Sequence, residues 1–244
     1  IRDRYILIIG SIVALVFLAV AGNEKRAAAG LTRQNWKSAV LIVLAFVGIY
    51  IVRTVVSVAV QGVSDGSGMQ YVKEWAAMFK NPMMWLNIAA LPINYFFVFI
   101  AFFGEEYGWR YYLQPVLQKR FGLRAGVIIL GVVWGLWHIP DDLFYYTQTS
   151  GIQMIFAQQI TCISLGIFFA YAYMKTQNIW VPVCLHYLNN NLIPIISGTF
   201  SADVLENQTV SWKDLPVALV LNGLCFGFFL LADVFKKKEV QEEE

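Results

Sequence analysis

The sequence predicts an all-α fold: a polytopic transmembrane bundle of about seven to eight spanning helices, with one further helix in the membrane interface. Composition is the first reason. Of 244 residues, 58% are hydrophobic and 14% charged, and mean hydropathy is +0.58. Soluble domains carry about 25% charged residues. The deficit excludes a disordered chain, a nucleic-acid binder and an ordinary cytosolic globule. The second reason is that the apolar residues come in runs close to the roughly 20 that a spanning helix needs. The third is that the basic residues sort by side once those runs are placed. The chain reads as a single integral membrane domain over residues 1–244, and the lipid bilayer is its first partner. A net charge of +2 says little about other partners.

Tyr5–Gly22 is the first run; it lacks a small-residue cleavage pattern and reads as a span, not a signal peptide. Ser38–Val60 is the second, interrupted by Arg53. Asp65–Gly68 reads as a flexible loop, and Tyr71–Lys80, with Trp75 and Phe79, as the interfacial helix. Met83–Phe103 is the third run, Ala125–Ile139 the fourth, Ile152–Met174 the fifth, Ile179–Ser197 the sixth and Leu215–Phe235 the seventh. Cys162, Cys184 and Cys225 lie far apart within apolar runs and form no metal or disulfide pattern.

Seven crossings make alternate loops share a side. Eleven Lys and Arg then fall on one side (Lys25 to Lys37, Lys119 to Arg124, Lys175, Lys236 to Lys238) and five on the other. The positive-inside rule makes the richer side, with the C-terminus, cytoplasmic.

Ionisable groups inside apolar runs cost about 2.5–3.5 kcal/mol each at mid-bilayer and mark function by default. Here they are Arg53, Glu105, Glu106, Arg110, His138 and His186. Their depths agree if the third helix runs from about Pro92, in its first turn, to Lys119, with Gly122 as its exit. At 1.5 Å per residue, Glu105 and His138 then lie about 21 Å from the basic side, and His186 and Asn190 about 17 and 22 Å. Four polar groups on three helices reach one level, where facing a shared wet hollow lowers the cost of burying them. Glu106 and Arg110 are spaced i, i+4 and can neutralise each other, whereas Glu105 points about 100° away. Gly104 and Gly108, like Gly122/Gly126 and Gly131/Gly135, form small-xxx-small faces for close helix approach. Arg53 is expected to snorkel or meet a carboxylate. Asn189 and Asn191 read as packing or capping groups. Gly62-Val63-Ser64-Asp65-Gly66 spells a nucleophile elbow but has no strand before it, and Asn207-Gln208-Thr209 is a glycosylation sequon.

A free carboxylate, two imidazoles and a carboxamide around water point to hydrolysis. Glu105 would take a proton from water, and a carboxamide and an imidazole would donate to a tetrahedral oxyanion. Two His and a Glu also make a hydrolytic zinc set, so a bound metal would take Glu105, His138 and His186 as ligands. The residues leave zinc and no cofactor equally open. No HExxH or GxGD pattern is present. Two non-hydrolytic readings compete. One is a catalytically silent membrane partner or bacteriocin-immunity protein that binds a peptide without cleaving it. The other is a proton-coupled transporter, against which the absence of inverted repeats counts.

Glu105-Glu106-Tyr107-Gly108-Trp109-Arg110 resembles the EExxxR motif of the CPBP family, the type II CAAX prenyl endopeptidases and their bacteriocin-processing relatives. Trp134-Gly135-Leu136-Trp137-His138 resembles that family's FxxxH motif, with Trp in place of Phe. His186-Tyr187-Leu188-Asn189-Asn190 is similar to its HxxxN motif. The resemblance covers the core, 91–197, in the family's order. It implies an intramembrane endopeptidase, of glutamate type or a metalloprotease, acting on a membrane-associated or lipidated peptide. It implies that Glu105 activates water with His138, that His186 and Asn190 stabilise the oxyanion, and that Glu106 and Arg110 brace the site. Family members usually have eight helices, so one more before the first run would reconcile the count of seven.

Overall fold

The computed structural model describes residues 23–198 and 206–236, together with Val16 and Val20. The first apolar run (those two positions aside), Arg2, Arg4, Asp203, Lys237 and Lys238 lie outside the described residues. All regular structure among the described residues is helical. In chain order the helices are α1 (Asn23–Ala28), α2 (Trp36–Ser64), α3 (Gln70–Met78), α4 (Pro82–Glu106), a π-helix (Tyr107–Leu113), α5 (Gln114–Phe121), α6 (Leu123–Trp137), α7 (Ile139–Phe144), α8 (Gly151–Thr176), α9 (Trp180–Ser197) and α10 (Asp214–Cys225). Two 3₁₀ turns, Gly227–Leu231 and Asp233–Phe235, follow.

Four helices among the described residues are long and apolar enough to cross a membrane: Trp36–Ser64, Pro82–Phe121, Leu123–Phe144 and Gly151–Thr176. With 18 residues α9 is long enough, but His186 and three asparagines dilute its hydropathy. The seventh run is not one helix. It breaks after Cys225, and Phe226 and Phe235 become fully or nearly fully buried. Phe226 packs on Phe46, Tyr50 and Phe168 with ring centroids 5.0–5.8 Å apart. Aromatic packing against α2 and α8 prevails over a helix already weakened by Gly227.

The third run also differs from expectation. Its helix starts at Pro82, capped by the Asn81 side chain accepting from the Met83 amide, and continues through the π-helix to Phe121. Pro92 lies inside it. Beside that proline the Tyr187 hydroxyl donates to the Leu91 carbonyl at 2.7 Å, a cross-helix bond of the kind that lets lipid-embedded helices carry an interior proline. The whole 40-residue helix would measure about 60 Å, twice the hydrocarbon thickness, so its polar end around Lys119 and Arg120 projects beyond the apolar slab. Gly122 ends it at φ 90°, as an exit glycine should.

Loops placed on one side by alternation do meet. Asn35 donates to the Thr176 carbonyl at 3.0 Å, and Asn178 to the Gln34 carbonyl at 3.2 Å. At the other end the Gln208 amide donates to the Tyr146 carbonyl at 2.9 Å. The interior is organised on α8, whose Phe168 and Phe169 pack on Phe46 of α2. Gly131 of α6 admits the α8 backbone: a Cβ there would stand 2.6 Å from the Ile163 Cα. Close packing of this kind holds helices together in lipid.

Candidate active site

Three helix ends build the site. Glu105 and Glu106 close α4, His138 caps α6, and His186 sits six residues into α9. That is about 9 Å along α9, shallower than the sequence arithmetic placed it, because the Gln177–Ile179 turn uses residues without gaining depth. The convergence itself stands. Glu105, His138, His186 and Asn190 all line one cavity of about 760 Å³, walled elsewhere mainly by aromatic and aliphatic side chains such as Phe97, Trp109, Tyr112 and Trp137.

The two histidines and Asn190 are each oriented by a partner outside the cavity. The Nδ1 of His138 lies 2.8 Å from the Trp134 carbonyl, which can only accept, so Nδ1 carries the proton and a neutral ring keeps its lone pair on Nε2. The Cys162 Sγ lies 3.8 Å from the same Nδ1. The Nδ1 of His186 donates to Glu106 Oε1 at 2.8 Å. Asn189 donates to Asn190 Oδ1 at 2.9 Å, which leaves the Asn190 NH₂ to point elsewhere. Asn189 in turn accepts from the Tyr50 hydroxyl. The carboxylate of Glu105 has a buried oxygen, Oε2, with no hydrogen-bond partner among the described residues.

The two adjacent glutamates part company as their 100° separation requires. Glu106 is fully buried and 3.3 Å from Arg110 Nε, in the expected i, i+4 ion pair. Arg110, also fully buried, lies with its guanidinium carbon 4.9 Å from the Trp134 ring centroid and 5.3 Å from that of Phe169. Both its Nη atoms lack hydrogen-bond partners among the described residues, so the pair recovers only part of the cost of burial.

Other expectations need correction. Arg53 meets no carboxylate among the described residues; it donates to Asn222 Oδ1 at 2.9 Å and lies over the Tyr50 ring. Gly104 and Gly108 line the cavity, and a Cβ on Gly108 would meet nothing within 4 Å, so that pair is no helix-packing face. Asn191 does pack, bonding Asn94 and the Tyr187 carbonyl. Sequence reasoning missed Tyr50, which reaches the site through Asn189, and Asp141, which lines the cavity. A tyrosine within an apolar run gave no signal for the first; for the second, the turn following His138 could have.

The donor chemistry of Glu105, His138 and His186 suits zinc, and both imidazoles have the anchored Nδ1 typical of metal-bound histidine. Their spacing does not match: among the described residues no three His, Cys, Asp or Glu side chains stand where they could hold one ion.

Residues 86–192 match the family model described as type II CAAX prenyl endopeptidase Rce1-like. The chain is also 27% identical over 125 residues to CAAX prenyl protease 2 of Methanococcus maripaludis, a match covering 48% of this chain and 45% of that relative. The chain thus spans about half the length of the curated relative it matches. No solved structure matches it.

Proposed function

From the match of residues 86–192 to the type II CAAX prenyl endopeptidase Rce1-like family model, we propose that this chain is an intramembrane endopeptidase. Its substrate is a membrane-associated or lipidated peptide, cut by water that Glu105 and His138 activate. The observation that carries the reading is the shared cavity: Glu105, two imidazoles anchored through Nδ1 and one carboxamide residue line a single hollow.

A peptide bond in the cavity places its carbonyl carbon near water held by Glu105. The carboxylate takes one water proton as the oxygen attacks, and the His138 Nε2 lone pair fixes the same water. The tetrahedral oxyanion is met by the Asn190 NH₂ and by His186. As an imidazolium, His186 gives Nδ1–H to Glu106 and Nε2–H to the oxyanion. Collapse breaks the C–N bond, and the proton held by Glu105 passes to the leaving amine. The products are a new carboxylate and a free amine. Arg110 holds Glu106 in place. The apolar walls suit hydrocarbon and apolar side chains. The C-terminus is proposed to lie in the cytoplasm, with the basic loops.

The test is incubation of the purified chain with farnesylated and unmodified membrane peptides, reading fragments by mass. Cleavage lost in both Glu105→Gln and His138→Ala supports the reading; full activity in both overturns it. A chelator arm on the active protein reads metal dependence directly.

A further inference from the structure

Apart from its two imidazoles, the charged side chains that line the cavity among the described residues are carboxylates. Glu105 and Asp141 line it, and no Lys or Arg does. Arg110, the charged group nearest in sequence to Glu105 and Glu106, is fully buried against Glu106, Trp134 and Phe169 outside the lining. Asp141 has no side-chain hydrogen bond or ion pair among the described residues, and is half-buried. The next residue, Asp142, is fully buried with both carboxyl oxygens unpartnered among the described residues, so that turn offers Asp141 no counter-ion.

Helix pairing fixes where Asp141 stands relative to the reacting groups. A Cβ on Gly126 would touch the Gln118 backbone, Trp134 meets Arg110, and Trp137 meets Trp109 with centroids 6.2 Å apart. This antiparallel progression sets His138 against the Glu105 turn and Asp141 one turn beyond, toward Ala101 and Phe97. On the opposite side of Glu105 the lining runs through Gly108, Trp109, Tyr112 and Leu113. A peptide lying along the helix therefore has one arm in an apolar, aromatic channel and the other beside an uncompensated carboxylate.

We infer that Asp141 is a specificity-determining residue, which selects substrates with a cationic or neutral side chain on its side of the cleaved bond and rejects an anionic one or a nearby terminal carboxylate. The inference rests on the cavity being the peptide-cleaving site. Like charges brought together at a site of low polarity are penalised, and such repulsion is how specificity is set against near neighbours.

The experiment uses the full chain in lipid nanodiscs with a peptide set of one apolar sequence. Lys, Gln or Glu is placed in turn two residues to either side of the cleaved bond, and the C-terminus is free or amidated. Binding of labelled peptide and kcat/KM are both measured for wild type, Asp141→Asn and Asp141→Lys. At one of the two positions, Lys peptides bind and are cut at least about tenfold better than Glu peptides by wild type. The ratio, taken for each variant relative to its own Gln peptide, falls below about threefold in Asp141→Asn and inverts in Asp141→Lys. Equal handling of Lys and Glu peptides at both positions by wild type, or a ratio unmoved in both variants, overturns the inference. Binding preference reads the selector even where nothing is cut; a complete lack of cleavage by wild type counts against the endopeptidase reading instead.

Discussion

Removing Arg110 exposes how the buried ion pair supports the site. In Arg110→Met the fully buried Glu106 keeps a single partner, the His186 Nδ1 at 2.8 Å. Breaking a buried pair by deleting one member costs about 3–5 kcal/mol. Here the pair makes one 3.3 Å approach and leaves both Nη atoms unbonded, so the loss sits at the lower end, about 3 kcal/mol. Glu106→Gln leaves the guanidinium alone in its aromatic slot and costs a similar amount. The double variant removes both charges and replaces the pair with neutral groups of similar size, a change that is often nearly neutral. It should lose about 2 kcal/mol or less, against about 6 for independent effects. Reversible unfolding in mixed detergent micelles, followed by tryptophan fluorescence, measures all three. A double variant that loses the sum of the singles would refute the pairing argument.

The glycines separate packing from cavity roles. Gly126→Ala sets a Cβ 2.6 Å from the Gln118 amide nitrogen, a backbone atom that cannot yield, and should cost about 1–3 kcal/mol in the same unfolding assay. Gly108→Ala meets nothing within 4 Å and should leave stability within about 0.5 kcal/mol, yet weaken peptide binding, because its methyl enters the cavity. Tyr50→Phe removes the hydroxyl that orients Asn189 and, through it, Asn190; loss of a bond worth about 1 kcal/mol should lower kcat about fivefold with little change in peptide Kd.

The parts of this molecule legible in its sequence are those where lipid makes polarity expensive. Glu105, Glu106, Arg110, His138, His186 and Asn190 stand out because they interrupt apolar runs away from the basic ends, and the structure gathers them. What depends on tertiary packing was not legible. Helix length gave no hint of the break after Cys225, since the gain from burying Phe226 comes from α2 and α8. Pro92 reads as a helix start by local rules, but Asn81 and Pro82 provide a better one ten residues earlier, and Tyr187 serves the backbone beside the interior proline. The π-helix following Glu106 has no marker in composition, because its wider winding is a backbone state that the surrounding helices hold in place. Arg53 finds a carboxamide on α10, a partner 169 residues away in the chain.

The most direct measurement is the partition of Glu105→Gln between binding and turnover. Single-turnover cleavage and equilibrium peptide binding are followed on the same purified variant. With Glu105 as the group that takes the proton from water, cleavage should fall by about 10²- to 10⁴-fold while Kd stays within threefold of wild type. Undiminished cleavage, or a loss confined to binding, would contradict it.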